Sequence, residues 1–180
     1  FILVQALAEN ANANGVHFLL NTKVTDIKVK DGAVSEVVTT GETIETKYVI
    51  NAAALYCDEI AAMVGKADYK VVARRGQFYI LDKNTSCKVN EIVLPIPTKI
   101  TKGMCPTIHG NMLVGPTAED LDNKTDKSVT KEGLDSILKD VKNLIPNVNV
   151  RDSITQYSGL RPNRNPEGLH VDTYDDLKGY

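Results

Sequence analysis

Apolar positions recur at helical spacing near the start of the chain, at Leu3, Val4, Leu7, Ala8 and Ala11. That predicts an amphipathic helix over residues 3–14, and Gly15 is suited to end it in a left-handed conformation. The period then shortens. "VHFLL" (16–20) predicts a short strand, and Val24, Ile27 and Val29 predict another that runs to "KDG" (30–32), where Asp-Gly predicts a tight hairpin turn. "AVSEVVTT" and "ETIETKYVI" predict two more strands joined around Gly41. The last of these passes through Asn51-Ala52-Ala53-Ala54 into a predicted helix, "CDEIAAMVG" (57–65), with Gly65 as its stop.

From about residue 66 the pattern changes. "KVVAR", "GQFYIL", "NEIVLPIP" and "MLVG" predict strands that follow one another without helices, the signature of an antiparallel sheet and a second domain. One helix interrupts them, with an apolar stripe at Leu134, Ile137, Leu138, Val141 and Leu144. Thr130 is its expected cap, Glu132 stands in its first turn and Pro146 ends the segment. "SITQYSGLRP" (153–162) predicts a returning strand that stops at an Arg-Pro corner. The expected fold class is mixed α+β and α/β: part of an α/β domain joined to an antiparallel sheet with a covering helix. The expected division is 1–65 and 159–180 in the first domain and 66–158 in the second.

Composition narrows the function classes. The chain has 180 residues, 42% hydrophobic and 24% charged, enough for a real core and ordinary for a globular protein. The formal net charge is −2 and the basic residues are dispersed, so nucleic acid is not an expected partner. No apolar run approaches the ~20 residues of a membrane helix. The three cysteines, Cys57, Cys87 and Cys105, lack metal spacing and are odd in number, which fits a reducing cytoplasm. No metal set is expected. The sequence opens inside a helix without Met, so an excerpt of a longer polypeptide is the expected reading.

The alanine run at 52–54 raises a chemical question. Ligands of open α/β sheets lie beyond the carboxyl ends of strands, where bare backbone approaches them, and small side chains at Ala52 and Ala53 permit that approach. They also permit tight packing of the following helix, and composition alone does not choose.

"GVHFLLNTKV", "YVINAAALYCDEIAAMVG", "RRGQFYILDK", "IHGNMLVGPTAED" and "YSGLRPNR" together resemble, in order and spacing, the FAD-dependent oxidoreductases of the D-amino-acid oxidase superfamily. The chain is most similar to their glycerol-3-phosphate dehydrogenase and L-2-hydroxyglutarate dehydrogenase branches. The resemblance implies an FAD cofactor, hydride transfer from a small anionic 2-hydroxy substrate, and an electron acceptor that it does not specify. By the same resemblance Val24 holds the adenine end of FAD through its backbone, and Ala52 and Ala53 pass beside the cofactor. The family commonly has Gly where Ala54 stands. Arg75 and Gly76 match a motif near the flavin, although Arg74 and Arg75 equally fit a solvated pair at a strand edge. Arg161 in "GLRP" matches the arginine that binds the substrate's acidic group, a task suited to a planar guanidinium. His109, in a turn, is a candidate proton acceptor or a structural turn residue. His17 and His170 are explained by strand context. Glu119 and Asp120 read as a solvated loop.

The family's Gly-rich pyrophosphate loop is not in this sequence, so the 180-residue piece by itself is expected to retain little or no FAD and to be inactive. An L-2-hydroxyglutarate or amine oxidase is the alternative within the family. A non-catalytic binding module is the alternative outside it.

Overall fold

The computed structural model describes residues 2–96 and 101–180. They fall into two compact units, one made of residues up to Asn51 with Glu59–Lys66 and Val171–Tyr180, the other of Ala52–Asp58 and Ala67–His170.

The first unit begins with α1 (Ile2–Ala13), followed by Gly15 at φ 88° as its stop. Its apolar stripe is open to solvent, with Leu3, Val4 and Leu7 at 71%, 71% and 62% exposure. Strands β1 (Val24–Lys30), β2 (Ala33–Thr39) and β3 (Thr43–Glu45) form an antiparallel meander. Asp31 (φ 52°) and Gly32 (φ 73°) make the two-residue hairpin between β1 and β2, with both residues left-handed as a type I′ turn requires. The Thr39 hydroxyl closes the next turn, donating to the Glu42 carbonyl and accepting from the Gly41 and Glu42 amides. A small core of Ile27, Val34 and Leu177 is ringed by Val24, Val37, Ile60, Met63, Tyr174 and Tyr180.

One predicted strand of this unit, 16–20, does not form, and another, 42–50, forms only over its first part as β3. Residues 16–20 and 48–50 are irregular, and Leu20, Tyr48 and Ile50 are exposed. No strand among the described residues pairs with either segment, and an apolar run without a ladder partner cannot satisfy its backbone as a strand.

The second unit is built on β4 (Val71–Leu81), whose side chains alternate strictly between buried and half-buried along its 11 residues. "KVVAR" and "GQFYIL" are therefore one strand, not two. On one edge β4 pairs along its whole length with β8 (Ser153–Arg164); on the other it pairs with β6 (Met112–Gly115) and β7 (Glu119–Leu121). Strand β5 (Gly103–Pro106) adds outside β6. Every pairing in this sheet is antiparallel, as the run of strand patterns predicted.

The predicted helix after the alanine run forms as α2 (Cys57–Met63), and helix α3 (Lys131–Val141) covers one face of the sheet. The Thr130 hydroxyl accepts from the Gly133 amide, which is the expected cap, and Leu134, Ile137 and Val141 enter the core beside Tyr79, Leu81, Met104, Met112 and Val114. Ile137 and Val141 are fully buried, each contributing roughly 1.5–3 kcal/mol by area. Gln77, 1% exposed, fixes the helix start: its side-chain oxygen accepts from the Thr130 amide and its NH2 donates to the Thr130 hydroxyl.

Three further expectations need correcting. The Arg161-Pro162 step is not a corner, because β8 runs on to Arg164 with Pro162 opposite Ala73. Among the described residues β8 pairs only with β4, so Pro162 sits on an edge strand, where its missing N–H is tolerated. In "NEIVLPIP" only Val93 pairs, in a single bridge to Met104, and the final proline lies outside the described residues. Glu119 and Asp120 are not a solvated loop: they open β7 and face Arg75 and Arg74 across the ladder.

Candidate functional site

Side chains on a strand point alternately to opposite faces, and on β4 and β8 this sorts the polar residues. Arg74, Gly76 and Phe78 lie opposite Arg161, Gly159 and Tyr157 on the face away from α3. A cleft of about 480 Å³ lies on this face. Its floor is the Gly76–Gly159 pair, which offers no side chain. Phe78 lines it on one side, stacked on Tyr157 with ring centroids 5.2 Å apart. Arg74 and Arg161 line the other side, and Pro116, Thr117 and Ala118 form a wall. Burial raises the Tyr157 phenol above its usual value, with the neighbouring Cys105 adding to the effect.

Three arginines meet in this part of the sheet, and two are already engaged. Arg74 donates from Nε and Nη2 to both carboxylate oxygens of Asp120, and from Nη1 to Glu167. These carboxylates push its pKa above that of a free arginine, and Arg74 holds the Asp120 carboxyl below the usual range. Arg75, 3% exposed, points to the opposite face, where it meets Glu119, Asp126 and the Ser128 hydroxyl. Arg161 is exposed and has no hydrogen-bond or ion-pair partner among the described residues. Among the described cationic residues lining the cleft, its guanidinium is the one without a hydrogen-bonded carboxylate, although its charge helps to hold the Asp120 carboxyl down.

The residues singled out in the sequence are thus only partly brought together. Gly76 and Arg161 share the cleft, whereas Arg75 lies behind it. His109 is exposed at the tip of the β5–β6 hairpin and does not line the cleft. Val24 opens β1, and its side chain packs on the first unit's core, leaving only its main chain for any ligand.

Ala52 and Ala53 precede a 3-10 turn (Ala54–Tyr56) that packs against β4 and β8. The turn is tied to the start of β4: the Asp58 carboxylate accepts from the Val71 amide, and the Tyr69 hydroxyl donates to the Cys57 carbonyl. Val71 registers with Arg164, three residues beyond Arg161 or about 10 Å along the strand. The alanines do not line the cleft itself.

Within this turn Ala54 has φ 50°, a left-handed conformation that costs an L-residue roughly 1–2 kcal/mol. Glycine removes that strain and returns part of the gain as unfolded-chain entropy. Ala54→Gly is therefore expected to stabilise by about 0.5–1 kcal/mol, a rise of about 2 °C in a thermal melt. An unchanged or lower melting temperature would show that the turn is relaxed.

Sequence reasoning missed Gly159, Phe78 and Tyr157, and it undervalued Arg74. The signal was present as a period of two: Arg74, Gly76 and Phe78 on one strand and Tyr157, Gly159 and Arg161 on the other each share a face. Gly159 is informative because the fold does not require it. A Cβ built there meets nothing within 4 Å, and its φ lies outside the left-handed range. Gly159→Val is expected to keep the melting temperature within about 2 °C. It is expected to lower kcat/KM of the full-length protein at least tenfold, because about 1 Å of displacement of a reactant is that costly. Unchanged kinetics would show that nothing approaches this floor.

Among the described residues no His, Cys, Asp or Glu cluster is arranged to hold a metal ion, and no helix is long and apolar enough to cross a membrane.

Known proteins share this fold. The family model described as FAD dependent oxidoreductase matches residues 2–177. A glycerol 3-phosphate dehydrogenase of Caloramator mitchellensis is 39% identical over 97% of this chain and 37% of its own length. A glycerol 3-phosphate oxidase of Mycoplasma pneumoniae is 32% identical over 88% of this chain and 43% of its own. The dithionite-reduced L-alpha-glycerophosphate oxidase from Mycoplasma pneumoniae, solved with FAD bound, superposes with a TM-score of 0.77 at 31% identity, covering 90% of this chain and 44% of that one. An L-proline dehydrogenase from P. horikoshii shares the fold, with a TM-score of 0.85 at 20% identity over 98% of this chain and 47% of that one. The chain spans less than half the length of these relatives. With the family model matching nearly every residue, the chain belongs to the FAD-dependent oxidoreductases of the D-amino-acid oxidase type.

Proposed function

We propose that the full-length protein containing this chain oxidises sn-glycerol 3-phosphate at its secondary hydroxyl, and that this chain supplies the substrate side of the reaction. The observation that carries the reading is an uncommitted guanidinium, Arg161, beside a floor without side chains. Such a floor suits a flat ring with a small substrate above it, and the free guanidinium suits a phosphate through paired N–H donors. When bound, FAD supplies the hydride acceptor. Arg161 binds and orients the substrate anion, while Phe78 and the Pro116–Ala118 wall exclude water from the reacting carbon. Val24, Ala52 and Ala53 contribute main chain to the cofactor's path. The names of the 39% and 32% identical relatives support glycerol 3-phosphate over other small anionic 2-hydroxy compounds.

Anaerobic flavin bleaching of the full-length protein tests this. Glycerol 3-phosphate is expected to bleach the flavin faster than L-2-hydroxyglutarate, and glycine and glycerol are expected to leave it oxidised. Bleaching by glycine would move the protein to the amine oxidases. A full-length preparation without flavin would remove the enzyme reading.

A further inference from the structure

Arg161 is not alone on its face: Arg74 lies directly opposite it in the β4–β8 ladder and also lines the cleft. Side chains at such positions start about 5 Å apart, within reach of one phosphate. Two of the Arg74 nitrogens are locked by both oxygens of Asp120, a carboxylate held by the paired strand β7. The remaining nitrogen, Nη1, is taken by Glu167, which belongs to no strand or helix and whose side chain is 67% exposed. The same cation is therefore held once firmly and once loosely.

We propose that Glu167 is an internal stand-in for the substrate anion. A phosphate entering the cleft takes Nη1 of Arg74 from Glu167 and is gripped between Arg74 and Arg161, while the segment 165–170 loses its tie to Arg74. The exchange is favourable in charge. Arg74, Arg161, Asp120 and Glu167 sum to zero with Glu167 in place, so an incoming phosphate meets no net attraction; its departure leaves one positive charge for the dianion. It is also easily made, because an ion pair whose carboxylate is largely exposed adds little to stability. Arg74 then sets specificity: a phosphate has oxygens for both guanidinium groups, and a monocarboxylate fills one.

This rests on the reading of the cleft as an anion site, but its test needs no turnover. Inorganic phosphate is titrated into the full-length protein and into its Glu167→Gln variant by calorimetry, with hydrogen exchange of residues 165–170 followed in the wild type. Removing the competitor is expected to tighten phosphate binding about two- to fivefold, the range of an exposed ion pair. Phosphate is expected to speed exchange at 167–170 in the wild type. Equal or weaker binding by Glu167→Gln, or slower exchange on adding phosphate, overturns the proposal. Arg74→Lys keeps the charge but loses the fork, and is expected to weaken phosphate several-fold; unaltered binding there would count equally against it. Failure to oxidise glycerol 3-phosphate, with these binding results intact, would refute the substrate assignment and leave the exchange standing.

Discussion

Replacing Arg161 with Met in the full-length protein is expected to raise KM for glycerol 3-phosphate about a hundredfold while the melting temperature stays within about 2 °C. The two halves of this expectation come from one observation. Arg161 is exposed at the edge strand β8 and holds no partner among the described residues, so folding loses nothing when the guanidinium goes. Binding loses a charge-assisted, two-pronged contact, and in a cleft walled by Phe78 and Pro116 such contacts exceed the ~1 kcal/mol of a neutral hydrogen bond. Arg161→Lys should recover part of the loss, since it restores charge but not the planar fork. Steady-state kinetics beside a thermal melt reads both quantities. A melting temperature that falls with the activity would mean that Arg161 belongs to the fold, and the assignment would fail.

Arg75 behaves in the opposite way. Its guanidinium is nearly buried and bridges Glu119 on β7 to Asp126 and Ser128 in the loop before α3. The Asp126 carboxyl lies below its ordinary range, chiefly through hydrogen bonds from the Ser128 amide and hydroxyl, with Arg75 adding to the effect. Arg75→Met leaves two carboxylates facing each other without their cation. Both are partly solvated, so the expected destabilisation is about 2–4 kcal/mol, below the range for a fully buried pair. In the folded fraction KM should be unaffected, because Arg75 lies on the face of β4 away from Arg161. Thermal denaturation and kinetics on the same sample check this. A stable variant with a raised KM would put Arg75 in the substrate site after all.

Arg75 and its neighbour Arg74 also show what the sequence could and could not convey. The neighbours in "RRGQ" are chemically identical, and only the pairing partners of β4 decide that one faces the cleft and the other the interior. Those partners, Asp120, Glu119 and Asp126, lie more than 40 residues on and come from a segment whose charges read as solvated. Local signals were legible: the Asp31-Gly32 hairpin, the Thr130 cap and the apolar stripe of α3 are fixed by residues within one or two turns of chain. The same logic misled at 16–20 and 48–50, where apolar runs promised strands but a strand exists only by its neighbour. The continuity of β4 and β8 was hidden for the reason that makes them useful. The glycine at 76 and the proline at 162 look like breaks, yet facing glycines at 76 and 159 leave a bare floor, and an edge strand accepts a proline.

The central claim is that the β4–β8 face carrying Arg161 receives the substrate anion. A crystal structure of the full-length flavoprotein with glycerol 3-phosphate tests it most directly. The account expects the phosphate within hydrogen-bond distance of the Arg161 guanidinium and the glycerol carbons above Gly76 and Gly159. Substrate bound on the α3 side of the sheet, or bound elsewhere with Arg161 still facing solvent, would contradict it.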